Sequence, residues 1–110
     1  MSSISKVKQS IVLTSTGQLQ KLKPSDGSAI SITKAQIMTV YGMSSNTDAE
    51  IKIYNEVGSA TAKNLIFHGK FGTAANQTEE FKMPGIGIYA DDGAYVVLTN
   101  CDFCYVVGTF

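Results

Sequence analysis

The feature of this sequence that most constrains its fold is the lack of helical periodicity. No window of 11 residues keeps apolar side chains at i, i+3, i+4 and i+7, while β-branched residues, aromatic residues and glycines recur throughout. Short alternating or apolar runs appear instead, and they predict about eight strands. These runs cover residues 10–15, 29–41, 50–54, 64–71, 79–83, 87–90, 94–100 and 103–109. We therefore expect an all-β chain.

Turn-forming residues lie where these runs stop, and the clearest turn is Asp91-Asp92-Gly93. Gly93 can adopt the positive φ that a type I turn with a G1 bulge requires. We expect this turn to join strands 87–90 and 94–100 as a hairpin.

The run from residue 29 to residue 41 changes phase around Lys34. Before Lys34, the apolar side chains that share one face are Ile30 and Ile32. After it, the alternate positions on the other face are Ala35, Ile37, Thr39 and Tyr41. A bulge or a bend that switches sheets near Lys34 would restore a consistent inner face. Short strands without helical crossovers favour antiparallel pairing, so we predict a jelly-roll-like β-sandwich.

The length of 110 residues is typical of one domain. We predict a single sandwich domain over residues 1–110, with residues 1–8 as a candidate flexible N-terminal arm. Nine lysines balance nine acidic residues, and a neutral chain without arginine lacks the field and the guanidinium forks typical of nucleic-acid binding. Neither a signal peptide nor a run of ~18 apolar residues is present. We expect synthesis in the cytoplasm, with no nucleic-acid or membrane partner.

Cys101-Asp-Phe-Cys104 matches the CxxC pattern of redox motifs and of half a zinc site. A redox motif places its first cysteine at a helix N-terminus, whereas this pair enters an apolar strand. Residues i and i+3 of a strand point to opposite faces, so chelation would require a turn at Asp102. A zinc site would also need two more soft ligands, and the chain has one histidine, His68, and no third cysteine. We expect buried, unpaired thiols and no metal site.

His68 lies in the predicted strand 64–71, on the face of Lys70 and opposite that of Phe67. A catalytic histidine needs a nucleophile and an orienting acid beside it, and no elbow motif such as GxSxG selects a serine. We therefore predict a structural histidine and a chain that is not an enzyme.

Two pairs of adjacent carboxylates, Glu79-Glu80 and Asp91-Asp92, suggest a calcium site or a glycosidase pair at first sight. Neighbouring strand residues point apart, however, and the aspartates are explained by turn formation. Calcium also requires several oxygens spaced as in DxDxDG. Gly85-Ile-Gly87 lacks the helix that follows a phosphate-binding loop, and it indicates close strand packing after Pro84. We assign no catalytic, cofactor-binding or metal-ligating residue and no cofactor.

The ten aromatic residues are five tyrosines and five phenylalanines, and the lack of tryptophan weakens the case for a sugar-binding platform of stacked indoles. We expect most of these rings in the core. The tyrosines could equally place a ring at a subunit contact with the hydroxyl at its wet edge. They are Tyr41, Tyr54, Tyr89, Tyr95 and Tyr105.

Three segments of the C-terminal half follow one another in a characteristic order. They are Phe67-His-Gly-Lys70, the run Glu80-Phe-Lys-Met-Pro-Gly-Ile-Gly-Ile-Tyr-Ala-Asp-Asp-Gly-Ala-Tyr-Val-Val-Leu-Thr-Asn100, and an aromatic strand that ends at Phe110. This order resembles that of small β-sandwich virion proteins of tailed bacteriophages. In those proteins F-x-M-P, a glycine-spaced strand, an acidic-Gly turn, Y-V-x-L-T-N and D-x-x-Y-V recur. The resemblance covers about 45 residues.

The resemblance implies a capsid decoration, or cement, protein: a jelly-roll subunit that forms a homotrimer and binds the major capsid protein on the outer surface of the head. It implies no particular binding residue, because the pattern consists of turn and core positions. Two alternatives stay open. One is a head-tail closure or tail-surface protein of the same virion, and the other is a carbohydrate-binding or adhesion module, suggested by the polar, tyrosine-bearing β composition.

Overall fold

Strands form almost all of the regular structure in the computed structural model, which describes residues 8–23, 25–72 and 74–110. The eleven strands in these ranges are β1 (Gln9–Leu13), β2 (Gly17–Gln18), β3 (Gln20–Leu22), β4 (Ala29–Ser31), β5 (Ala35–Ser44), β6 (Glu50–Tyr54), β7 (Leu65–Lys70), β8 (Thr78–Lys82), β9 (Ile88–Ala90), β10 (Tyr95–Thr99) and β11 (Cys101–Thr109). One short 3-10 helix, Ala62–Asn64, precedes β7. The candidate arm at residues 1–8 lies outside the described residues, apart from Lys8.

The strands form two sheets and a separate hairpin, with antiparallel pairing throughout the described residues. The first sheet has the order β1-β11-β5-β8, and β9 pairs with the beginning of β5 beside β8. The second sheet has the order β2-β10-β6-β7. The hairpin consists of β3 and β4. This arrangement confirms the predicted all-β, sandwich-like class.

The number of strands differs from the prediction of about eight. β2 and β3 were not predicted, because elements of two and three residues are too short to show alternation. The predicted strand 29–41 is divided into β4, which belongs to the hairpin, and β5, which belongs to the first sheet. Of the two alternatives predicted near Lys34, a bulge or a bend that switches sheets, the structure shows the bend.

Two extra residues interrupt the pairing of β5 with β11. Met38 on β5 and Asp102 on β11 have no residue opposite them in the ladder. The bulge at Met38 reverses the inward phase, because Ala35 and Ile37 are buried before it and Val40 is buried after it. The predicted inward positions of Thr39 and Tyr41 are therefore wrong, and both side chains point away from the core.

The core lies between the two sheets. Thirteen buried residues make one continuous cluster: Leu19, Ile32, Ala35, Ile37, Val40, Ile51, Ile53, Ala90, Ala94, Val96, Cys104, Val106 and Phe110. Burial of a large aliphatic side chain stabilises a fold by about 1.5–3 kcal/mol, so this cluster accounts for much of the free energy that holds the sheets together.

Three phenylalanines close the sandwich where β7 faces β8. The ring of Phe81 on β8 meets the ring of Phe67 on β7 edge-on, with centroids 5.5 Å apart, and meets Phe71 at 5.6 Å. Gly69 makes room for this contact, because a Cβ atom there would lie 2.8 Å from the Phe67 ring and 3.0 Å from the Phe81 ring. The cluster joins the edges of the two sheets.

The turn at Asp91-Asp92-Gly93 does not form the predicted hairpin. β9 pairs with β5 in the first sheet, whereas β10 pairs with β2 and β6 in the second, so this turn crosses between sheets. Gly93 has φ of 138°, and a Cβ atom there would lie 2.8 Å from the backbone carbonyl of Glu56. The glycine serves a close approach to the loop after β6, which the local turn signal does not reveal.

Candidate interaction surface

The outer face of the first sheet is apolar at its centre. In β5 and β11 the buried positions Val40, Cys104 and Val106 point into the core, so the side chains that alternate with them point outward. We define the aromatic face as the outward side chains of Val12, Tyr41, Met43, Phe103, Tyr105 and Val107.

Strand register aligns the side chains of the aromatic face in rows. Val12 on β1 lies opposite Tyr105 on β11, which lies opposite Tyr41 on β5. The rings of Tyr41 and Tyr105 stack with centroids 5.9 Å apart, and Phe103 lies 5.3 Å from Tyr105 and 6.3 Å from Tyr41. Such pairs contribute about 0.5–1.5 kcal/mol each, so the rings hold one another in place.

The aromatic face is accessible to a partner. Val12 is 52% exposed and Tyr105 is 37% exposed, while Tyr41 and Phe103 are half-buried. The charged residues at the β8 border, Glu80 and Lys82, are 3.4 Å apart and neutralise each other. A contiguous apolar patch with a polar rim is typical of protein interaction sites.

The outer face of the second sheet has a different chemistry. Lys52 on β6 lies opposite His68 on β7, and Glu50 lies opposite Lys70. His68 Nε2 also contacts Glu50 Oε1, and this contact lowers the pKa of Glu50 below its usual range. The outer face of the second sheet therefore carries four ionisable side chains, whereas the outer face of the first sheet carries the aromatic face.

The two cysteines are free thiols with different exposure. Cys104 is fully buried in the core, and its burial raises the pKa of its thiol to about 12. Cys101 is half-buried, and its Sγ lies 3.5 Å from the backbone carbonyl of Glu50 in the second sheet. Both side chains therefore point inward. The predicted opposite orientation is wrong, because the bulge at Asp102 adds one residue between them.

The two glutamates of the first carboxylate pair point apart, as predicted. Glu79 lies opposite Gly42 and Glu80 opposite Tyr41, so the two side chains leave opposite faces of β8. Asp91 and Asp92 are exposed in the crossing turn. Across the described ranges, no group of three or more histidine, cysteine, aspartate or glutamate residues could hold a metal ion.

Close strand packing is confirmed at Gly87, where a Cβ atom would lie 2.4 Å from the carbonyl oxygen of Ile37. Its φ of 102° also favours glycine. Gly85 has open space around it and serves the turn before β9.

Sequence reasoning missed a polar cluster around Glu56. Its carboxylate accepts hydrogen bonds from the backbone amide of Thr61 at 2.6 Å and the Thr61 hydroxyl at 2.9 Å, and it also contacts Ser59 Oγ. Asn64 Nδ2 donates to it at 3.3 Å. The contacts with Ser59 and Thr61 lower the pKa of Glu56 to about 2. The carboxylate fastens the loop between β6 and β7.

Comparisons with known proteins add no family to this description. Neither a scan against protein-family models nor a search of curated proteins finds a match for the chain. In the part of the chain that the structure describes, no helix has the length and apolar composition needed to cross a membrane.

Proposed function

We propose that the chain is a non-enzymatic structural protein of a tailed-phage virion, and specifically a decoration protein that binds the outer surface of the head and stabilises it. The observation that carries this proposal is the aromatic face. It is an apolar surface across the three neighbouring strands β1, β11 and β5, and the charged residues Glu80 and Lys82 lie on β8 at its border.

Such a surface suits the physical task of a cement protein. A decorated head resists internal pressure through additional buried area, and each Å² of apolar surface removed from water stabilises the contact by about 25 cal/mol. A sheet held by a continuous core presents this area without the entropic cost of ordering loops. The balanced charge of the chain limits nonspecific attraction to DNA.

The resemblance of residues 67–110 to small phage β-sandwich proteins supports the location and the partner. On that basis the partner is the major capsid protein, the oligomer is a homotrimer and the chain is located on the capsid surface after synthesis in the host cytoplasm. Trimerisation would also cover exposed strand edges.

The first test is to locate the chain in purified virions of the phage that encodes it. Peptide mass spectrometry should detect it in intact particles, and electron cryomicroscopy should place copies of the β-sandwich on the outside of the head. Density at the neck or tail would replace the decoration role with the closure or tail-surface role. Absence of the chain from virions would exclude all of these roles.

The second test measures binding to heads assembled without the chain. Tyr105→Ser removes a ring from the aromatic face, and Tyr95→Ser is the matched control, because Tyr95 lies on the outer face of the second sheet. We expect Tyr105→Ser to weaken binding at least about tenfold, because tyrosines near the centre of an interface are enriched among the few residues that carry most of its binding energy. Tyr95→Ser should bind like the unmodified chain. Equal binding by both variants would show that the aromatic face is not the docking surface.

A further inference from the structure

The four edges of the two sheets are protected to different degrees. An edge strand presents unpaired backbone groups with which another chain can pair, and proteins usually block this pairing with charges, proline, bulges or short length. β8 carries Glu79, Glu80 and Lys82 among its five residues, and β2 is only two residues long. β7 contains Gly69 and Lys70 and has a register shift against β6.

Within the described residues, β1 has none of these protections. Its five residues, Gln9 to Leu13, include no charged residue, glycine or proline, and its register with β11 is continuous. Besides this ladder, β1 makes no backbone hydrogen bond to another described residue. Its side chains leave apolar area exposed, because Val12 is 52% exposed and Ile11 and Leu13 are only half-buried.

We propose that the free edge of β1 pairs antiparallel with β1 of a second copy of this chain. The register that overlaps all five residues places Ile11 opposite Ile11 of the other copy. Gln9 then lies opposite Leu13, and Ser10 opposite Val12. In this register odd-numbered residues lie opposite odd-numbered residues of the other copy, and even-numbered residues lie opposite even-numbered ones. The core-facing side of one sheet therefore continues into the core-facing side of the other, and the outer side into the outer side.

Several observations favour a second copy over a different partner. The edge is uncharged between Gln9 and Leu13, so two copies approach without repulsion. Val12 lies beside Tyr105, and pairing therefore makes the aromatic faces of the two copies continuous. A second copy of β1 supplies a suitable partner, because it is an extended, uncharged strand whose side chains alternate between the same two faces.

The size of the contact predicts a weak dimer. Five residues from each copy cover only a fraction of the roughly 800 Å² per partner that a stable dimer buries. The contact is isologous and closes after two copies. The pairing does not depend on a trimer or on the proposed role on the phage head.

Sedimentation equilibrium of the full chain between about 10 μM and 1 mM tests the pairing. We expect a reversible doubling of the particle mass that is present at the lowest concentration. Val12→Lys should raise the dissociation constant of this step at least about tenfold, because the two introduced lysines would lie roughly 7–8 Å apart on one face. The matched control is Val57→Lys, since Val57 is a loop valine that is 51% exposed. It should dimerise like the unmodified chain.

Hydrogen exchange distinguishes edge pairing from packing of the aromatic faces. Pairing should slow the exchange of alternate β1 amides as concentration rises, while the amides of the β7 edge stay unchanged. Tyr105→Ser should leave this protection in place. The proposal is overturned if mass doubling is absent, if Val12→Lys dimerises normally, or if β1 amides exchange at the same rate at all concentrations.

Discussion

The carbonyl oxygen of Gln36 lies 2.1 Å from the position that a Cβ atom would take on Gly108. These two residues meet beside the bulge at Met38, where the pairing of β5 with β11 shifts by one residue. A backbone oxygen cannot move aside as a side chain can, so this glycine sets how closely the two central strands of the first sheet approach.

We therefore expect Gly108→Ala to lower the free energy of unfolding by at least about 2 kcal/mol, as overpacking of a close contact does. Urea denaturation measures this change. The control is Gly17→Ala, because no atom lies within 4 Å of a Cβ atom there, and its effect should stay within about 0.5 kcal/mol. A Gly108→Ala variant as stable as this control would contradict the packing described.

The bulges also explain why part of the fold could not be predicted from the sequence. Alternation along β5 alone continues from Ala35 through Tyr41, and nothing in it marks Met38 as an extra residue. A bulge depends on a partner strand, and β11 lies more than 60 residues further along the chain. Strand positions could be predicted because they follow local patterns, whereas inner and outer faces beyond residue 38 could not.

Acid should weaken the loop between β6 and β7. The pKa of Glu56 is about 2 in the folded chain, against an ordinary value of 4.5. The contribution of this carboxylate is therefore present above pH 4.5 and is lost as the pH falls through about 2. Glu56→Gln should lower the Tm by a constant amount at neutral pH, and the difference from the unmodified chain should shrink below pH 4.5.

Glu79→Gln is a suitable comparison for this measurement, because the Glu79 carboxylate makes no hydrogen bond to another described residue. Its Tm difference should be small at neutral pH. If Glu56→Gln and Glu79→Gln gave the same Tm profile, the hydrogen bonds to Ser59 and Thr61 would have no part in stability.

The sequence identified part of the candidate surface. Tyr41 and Tyr105 were among the five tyrosines considered for a subunit contact, but Val12 and Phe103 were not singled out. Assembly of the aromatic face depends on β1 and β5 both pairing with β11, which is long-range information. The turn at Asp91 shows the same limit, since the residues predict a turn but not the sheets that it connects.

We expect His68 to influence the pKa of Glu50 and to contribute little to the stability of the fold. We expect His68→Ala to fold normally and to raise the pKa of Glu50 toward its usual range, because the hydrogen bond from His68 is the main cause of its lowered value. Carboxyl-carbon NMR titration of Glu50 measures this shift. The titration of Glu56 provides an internal reference, since its partners are Ser59, Thr61 and Asn64. An unchanged Glu50 titration would mean that the two side chains do not interact in solution.

The thiols should react in the order of their burial. Cys104 is fully buried and its thiol pKa is about 12, so it lacks both the access and the thiolate form that a disulfide reagent requires. At pH 8 in the native state we expect Cys101 to be modified slowly and Cys104 only upon unfolding.

Cys104→Ser should lower the free energy of unfolding by about 1–3 kcal/mol, because a hydroxyl among apolar side chains has no hydrogen-bond partner of its own. Cys101→Ser should have a smaller effect, since the carbonyls of Glu50 and Thr99 lie within reach to accept a bond from it. Rapid labelling of both thiols in the folded chain would contradict the inward orientation that the bulge at Asp102 produces.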